Sequence, residues 1–317
     1  MSKPTIIITE TLDPVCAAWL EERANVIWHM HDQPGVENVL ATIDGAVVRT
    51  YTQVNDAFMD LAPNCKVIGR AGVGLDNFDL PACQKRGVQV VYTPDANTQA
   101  VVEYVFGLIL DHYRPRTGMT ECVGDKAFHG LRKTQVGLQI NELTLGILGF
   151  GRIGKRIGQV ATAFGMKVLV NDIIDEFVLR DAVNYDFKFV DKDTLYSQSD
   201  ILTVHTDGRK ENHHLLNRDA FNLLKPDCLF INAARGMLVN DAALADWIKA
   251  NDKAHAILDV HDPEPPQADN PLWPLTDRVK MLPHLASRTD SALQNMSWVV
   301  KDVMAVLEGI EPKYPAF

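Results

Sequence analysis

The sequence predicts an α/β protein of two domains, and three observations predict it. Short runs rich in Val, Ile and Leu alternate with helix-sized segments along most of the 317 residues, the pattern of a parallel sheet covered on both faces. The alternation occurs twice, over the first hundred residues and again from residue 143. Between the two stands "QAVVEYVFGLILDHYR", a long apolar stretch without proline that reads as one helix. A chain of this length can fill two cores of ordinary size.

In the first half, strands are expected at 6–8 (III), 45–48 (GAVV), 66–69 (KVIG) and 88–91 (VQVV). "DPVCAAWLEER" and "NDAFMDLA" carry helical spacing between them. In the second half, "LTLGIL" reads as a strand, 152–164 as a helix and "KVLVN" as a strand. Further strands are expected near 201–204, 228–231 and 256–258. A helix-sized segment separates each pair, as a doubly wound sheet requires. A last helix, roughly 288–309, is expected to return to the first half. The division is therefore a first domain begun by 1–98, a second domain at 99–288, and a returning helix at 289–317 that completes the first, with a cleft between the domains.

Composition excludes several classes. Hydrophobic residues at 46% and charged residues at 23% are the balance of a globular domain. No apolar run reaches the ~20 residues that span a bilayer. "MSKPTIIITE" is too short an apolar stretch for a signal peptide, so a cytoplasmic protein with no membrane partner is expected. Five cysteines without a C-x-x-C pair fit reduced thiols and offer no zinc site. A net charge of −10 argues against a nucleic-acid partner, which needs a basic face. His213-His214 and His261 have no acidic or cysteine partner at ligand spacing, so no metal is expected.

"LGILGFGRIGKRIG" at 145–158 holds Gly149-x-Gly151-x-x-Gly154. That spacing alone is weak, and a plain strand-to-helix turn would also produce it. Its context favours a dinucleotide: an apolar strand runs into Gly149, an amphipathic helix follows, and the next strand ends at Asp172. An acid about 20 residues beyond the first glycine is what a ribose-binding site calls for. The glycines permit a tight turn, close approach to a pyrophosphate and close helix packing, and the helix N-terminus favours the phosphates. A carboxylate at 172 would accept from a ribose hydroxyl and repel a 2′-phosphate, so NAD is expected over NADP. The expected cofactor contacts of this turn are Gly149, Gly151, Arg152, Ile153, Gly154 and Asp172, which makes 99–288 a dinucleotide-binding domain and 1–98 with 289–317 a substrate domain.

Three further stretches, "INAARGMLVN" (Arg235), "LDVHDPEPP" (Glu264) and "LPHLAS" (His284), each follow an expected strand. With "RAGVGLDNFDL" and "TPDANTQAVVEYVFGLIL", they make the chain resemble the D-2-hydroxyacid dehydrogenases along nearly its whole length. The resemblance implies a Rossmann-type doubly wound sheet inserted into a smaller flavodoxin-like α/β domain, an NAD-dependent enzyme, and a homodimer formed through 99–114 and the loop after it. It carries the catalytic roles onto Arg235, Glu264 and His284, and further cofactor contacts onto His205, Ala233 and Asp259. Read singly, each is also compatible with a surface arginine, a solvated loop acid or a structural histidine. Together they suit the chemistry. An imidazole titrates near neutrality and serves as acid–base catalyst, a carboxylate holds its tautomer, and a guanidinium clamps the substrate carboxylate.

The loop Gly72-Val73-Gly74 is expected to offer backbone N–H groups to a substrate carboxylate, as in the family; a plain glycine turn is the other reading. Val73 stands where phosphite dehydrogenases carry a lysine, so phosphite is not an expected substrate. Arg49 and Arg70, each after an expected strand, resemble the phosphate-holding arginines of 3-phosphoglycerate dehydrogenases. Glyoxylate or hydroxypyruvate reduction is the alternative. A non-catalytic NAD(H)-sensing scaffold also stays open, because corepressors of this fold keep the same Arg, Glu and His. Two departures from the family stand out: His205-Thr206-Asp207-Gly208-Arg209, where it has His-apolar-Pro-apolar, and "LASRT" after His284.

Overall fold

The computed structural model describes residues 3–116 and 118–317. They fall into two compact units, Met1–Asn97 with Ser287–Phe317, and Thr98–Ala286. In the first unit β1 (Thr5–Ile8), β2 (Asn25–Trp28), β3 (Gly45–Val48), β4 (Val67–Arg70) and β5 (Gln89–Tyr92) alternate with α1 (Pro14–Glu21), α2 (Val36–Leu40), α3 (Asp56–Leu61) and α4 (Leu80–Lys85). The strands pair in parallel in the order β2-β1-β3-β4-β5, which is the flavodoxin-like arrangement.

Local chemistry sets these boundaries. Asp13, Asn55 and Asp79 each accept from amides in the first turn of the helix they precede, satisfying donors that a helix start leaves open. Successive strand residues point to opposite faces. Ile7, Val48, Ile68 and Val90 therefore pack with Leu40 and Phe58, while Ile6, Val47, Val67 and Val91 pack with Leu20, Val299 and Val303. β2 is the strand that hydrophobic runs do not reveal: it lies at the end of the sheet, with Asn25 and Trp28 exposed.

In the second unit α5 (Thr98–Tyr113) and α6 (Asp125–Thr134) precede seven strands. These are β6 (Thr144–Leu148), β7 (Lys167–Asn171), β8 (Lys188–Phe189), β9 (Ile201–Val204), β10 (Leu229–Asn232), β11 (His255–Leu258) and β12 (Val279–Met281). Between them run α7 (Arg152–Ala163), α8 (Glu176–Asp181), α9 (Lys192–Gln198), α10 (Arg218–Leu223) and α11 (Asp241–Ala250). The order β12-β11-β10-β9-β6-β7-β8 winds outward in both directions from β6, the Rossmann-type arrangement. Its switch point between β6 and β9 is where such sheets receive ligands. β8 and β12 are too short for a periodicity to register. Among the described residues no helix is long and apolar enough to cross a membrane.

The chain then returns to the first unit. The single helix expected over 288–309 is in fact two, α12 (Asp290–Ser297) and α13 (Val299–Leu307). The break falls at Trp298, whose ψ of 0° departs from the helical value and whose ring meets Trp19 edge-on at 6.2 Å. Beyond it, α13 buries Val299, Val300, Val303 and Met304 and lies against β3, β4 and β5.

Candidate active site

β6 runs into the glycine turn at the switch point. Gly149 has φ +94°, and a Cβ there would lie 2.7 Å from the backbone of His205 and Thr206. Both the left-handed conformation and the lack of room demand glycine. A Cβ on Gly154 would lie 2.2 Å from Gly149 O, so α7 seats directly on the turn. Gly151 is the N-cap of α7, and no side chain caps that end; a Cβ at 151 would meet nothing within 4 Å. Arg152 and Ile153 thus open a twelve-residue helix whose positive dipole end faces open space, a ready place for phosphate oxygens.

Asp172, just after β7, binds the turn through Phe150 N at 2.5 Å on Oδ2 and caps Ile174 N at 2.8 Å on Oδ1. Each oxygen keeps acceptor capacity. His205 follows β9, with Nε2 at 2.9 Å from Thr203 Oγ1. Burial pushes its imidazole down to about 3, so the ring is neutral. Its Nδ1 and Thr206 Oγ1 are buried with no hydrogen-bond partner, the kind of orphan that a bound ligand satisfies. The uncapped helix, the glycines of the turn and these orphans fit a dinucleotide. Where the sequence departs from the family, Arg209 Nε donates to Asp207 at 2.7 Å and Asn212 Nδ2 joins at 3.0 Å, so the loop is tied by its own ion pair. Ala233 lies half-buried just past β10.

The three carry-over residues also follow strands of this sheet. Beyond β10, Asn232 accepts from Ala234 N and donates to Arg235 O at 2.8 Å, shaping the turn, while Arg235 Nη1 donates to Ala234 O at 2.7 Å. Beyond β11 and β12, His284 Nδ1 lies 3.0 Å from Glu264 Oε2, with both side chains about 40% exposed (42% and 39%). His284 has φ +55°, a conformation that non-glycine residues adopt where surrounding structure enforces it. Burial raises the Glu264 carboxyl, but the hydrogen bond and charge of His284, with lesser help from His261 and Arg235, outweigh it. The group is held below the ordinary carboxylate range. An ionised Glu264 accepting from Nδ1–H leaves Nε2 of His284 for proton transfer.

What enforces the His284 backbone is Asp259, only 1% exposed. Its carbonyl accepts from His284 N, Oδ1 from Leu285 N and Tyr104 OH, and Oδ2 from Ala286 N, all at 2.8 Å. One acceptor position on Oδ2 remains. The anchoring by Asp259 and the part of Tyr104 were not visible beforehand. The available signal was a charged residue directly after an apolar strand.

In the first unit, a second buried acid lies two residues beyond β1. Glu10, 7% exposed, accepts from the amides of Arg49, Thr50, Tyr51 and Thr52 and from Thr52 Oγ1. It thereby fixes the loop after β3. Arg49 Nη1 donates to Thr11 O at 3.0 Å. Arg70 Nη1 donates to Ala71 O at 3.2 Å, and the guanidinium lies over Gly72. The expected run of N–H groups is shortened, because Gly72 N donates to Arg70 O at 2.8 Å. The amides of Val73 and Gly74 remain the loop's candidates for an anion.

Parallel sheet, glycine turn and helix start define the class, a protein whose second unit is built for a dinucleotide. Residues 106–286 match the NAD binding domain of the D-isomer specific 2-hydroxyacid dehydrogenases. A D-3-phosphoglycerate dehydrogenase of Archaeoglobus fulgidus is 37% identical over 84% of this chain and 50% of its own length. A glyoxylate reductase of Thermofilum pendens is 33% identical over 98% of this chain and 94% of its own. Among solved structures, the D-lactate dehydrogenase of Aquifex aeolicus, complexed with NAD and lactic acid, superposes with a TM-score of 0.80 at 26% identity, covering 96% of both chains. The chain belongs to the D-isomer specific 2-hydroxyacid dehydrogenase family. It spans about half the length of the phosphoglycerate dehydrogenases it matches.

Proposed function

We propose that the protein is an NAD-dependent dehydrogenase acting at C2 of a D-2-hydroxy acid. The observation that carries this reading is the His284–Glu264 pair at 3.0 Å, set after strands of the sheet that bears the glycine turn. Bound NAD supplies the hydride acceptor, and in the reducing direction NADH the hydride donor. In oxidation, His284 Nε2 takes the proton of the substrate hydroxyl, and Glu264 stabilises the imidazolium that results. Arg235 holds the substrate carboxylate and offsets charge on the oxygen at C2. Asp172 accepts from the adenosine ribose, and the α7 N-terminus takes the pyrophosphate. The open acceptor of Asp259 Oδ2 suits an amide N–H donor.

For the substrate, we assign the Gly72–Gly74 loop to the carboxylate and Arg49 with Arg70 to a second anionic group, such as the phosphate of 3-phosphoglycerate. Burial draws Arg49 below its ordinary value; Glu10 opposes this, and the Arg288 guanidinium adds repulsion. An anion there would relieve both. The second reading, glyoxylate or hydroxypyruvate reduction, is favoured by the match to a glyoxylate reductase over nearly the whole of both chains.

We also propose a homodimer. α5 buries Val101, Val102, Val105, Phe106 and Ile109 in its own unit. The loop after it is the part left uncovered: α6 has no buried residue, and Phe128, Leu131, Val136 and Leu138 are exposed. The reaction is tested with purified protein, NAD and a panel of 2-hydroxy acids, followed in the reduced-nicotinamide absorbance band. Turnover of at least one acid is expected. Tight NADH binding without turnover of any would establish the scaffold reading instead.

A further inference from the structure

His261 takes no part in the proton transfer just described, yet it is buried at 9% exposure between Asp259 and Glu264. Its Nε2 lies 2.8 Å from Leu282 O. A carbonyl oxygen only accepts, so Nε2 carries the proton. Nδ1 is buried without a partner.

The bond sits where the β11–β12 ladder has run out. Its last paired residues are Leu258 and Met281. Beyond them, Leu282 N donates to Leu258 O and His284 N to Asp259 O. Pro283, between the two, has no N–H to give. The carbonyl of Leu282 therefore receives a side-chain donor, and that donor fixes the peptide immediately ahead of Pro283 and His284. The same residue touches the other two loops. A Cβ on Gly236, next to Arg235, would lie 2.0 Å from the carbonyl of His261, so the arginine's turn is seated against this backbone. Glu264 is three residues further along the chain.

We propose that His261 is a positioning residue, whose ring N–H on Leu282 O holds the strand end that presents His284 to Glu264. This rests on the reaction assigned above. Without the bond, the Leu282–Pro283–His284 segment keeps its two backbone contacts to β11 but loses the one that sets its twist. The imidazole then leaves Glu264 for part of the time, and its neutral form is no longer confined to the Nδ1–H tautomer.

The test compares His261→Phe, which keeps a ring and removes the donor, with His261→Gln, whose amide places an N–H at the same reach. Ring nitrogen shifts of His284 in protein labelled with nitrogen-15 histidine, at alkaline pH, report the tautomer without any need of turnover. The unmodified protein and His261→Gln are expected to hold the Nδ1–H form. His261→Phe is expected to show a mixture, with kcat about 10- to 100-fold lower and unchanged NADH affinity by fluorescence titration. A His261→Phe protein with the original tautomer and kcat would overturn the proposal. So would a His261→Gln protein as impaired as the phenylalanine variant, since ring volume rather than the N–H would then matter. Were no 2-oxo acid turned over by the unmodified protein, the reaction assignment would fall, while the tautomer comparison would still decide the role of His261.

Discussion

Each unit ends a parallel strand in a buried acid, and the two acids do different work. Asp259 ties together backbone that carries a reacting side chain: His284, Leu285 and Ala286 all donate to it. Glu10 ties together a loop of four amides, and the residue presented there, Arg49, is half-buried with its guanidinium on Thr11 O. The glycine loops differ in the same way. At Gly149 and Gly154 an added Cβ would strike backbone, whereas at Gly72 it would strike the end of the Arg70 side chain. One unit is fixed down to the atoms that meet a coenzyme. The other fixes its backbone and places the Arg49 and Arg70 side chains beside it, the pair proposed above for a second anionic group of the substrate.

The largest effect should come from the fixed unit. His284→Ala is expected to lower turnover at least ~100-fold, the scale of lost acid–base catalysis, with NADH affinity by fluorescence titration unchanged. A near-normal rate would remove His284 from its role. Next, Gly154→Ala should cost about 1–3 kcal/mol in denaturant unfolding and weaken NADH binding. Gly72→Ala should stay within about 0.5 kcal/mol and leave NADH binding intact, because a side chain can swing aside. Equal losses at the two glycines would erase the contrast.

Within the first unit, Arg70→Ala should raise KM for 3-phosphoglycerate roughly tenfold or more, the scale of a charge-assisted hydrogen bond, and hardly alter KM for glycerate. Equal changes would discard the phosphate assignment. The smallest effect concerns pH. Glu264 is held below its ordinary value of 4.5, so its pairing is fully present above that pH and fades as pH falls through the lower folded value. The melting temperature of the unmodified protein should therefore exceed that of Glu264→Gln by a constant margin above pH 4.5, and the margin should close below it. A margin that instead grew in acid would have the sign wrong.

Buried parallel strands announce themselves as apolar runs, so β1, β3, β6, β7 and β9 were legible from residues such as Ile6-Ile7-Ile8 and "KVLVN". β2 was not, because a strand paired on one side carries Asn25 and an exposed Trp28. The split at Trp298 was hidden because no glycine or proline marks it; the cause is the tertiary contact with Trp19. In the candidate site, motif order picked out Arg235, Glu264 and His284. The residues that hold them, Asp259, Tyr104 and His261, contribute through hydrogen bonds between segments far apart in sequence, and spacing along a chain carries no trace of those. The Gly72–Gly74 loop was read as a run of open amides because the turn that takes up Gly72 N with Arg70 O leaves no mark in the residue pattern.

Hydride transfer to C2 beside the His284–Glu264 pair can be followed by isotope. A 2-oxo acid would be reduced with NADH carrying deuterium at both positions of nicotinamide C4, and the product examined by mass spectrometry and chiral chromatography. One deuterium at C2 of the D-hydroxy acid is predicted, formed by the unmodified protein and hardly at all by His284→Ala. Bound NADH that passes no deuterium to any 2-oxo acid, or label arriving equally fast without His284, would contradict it.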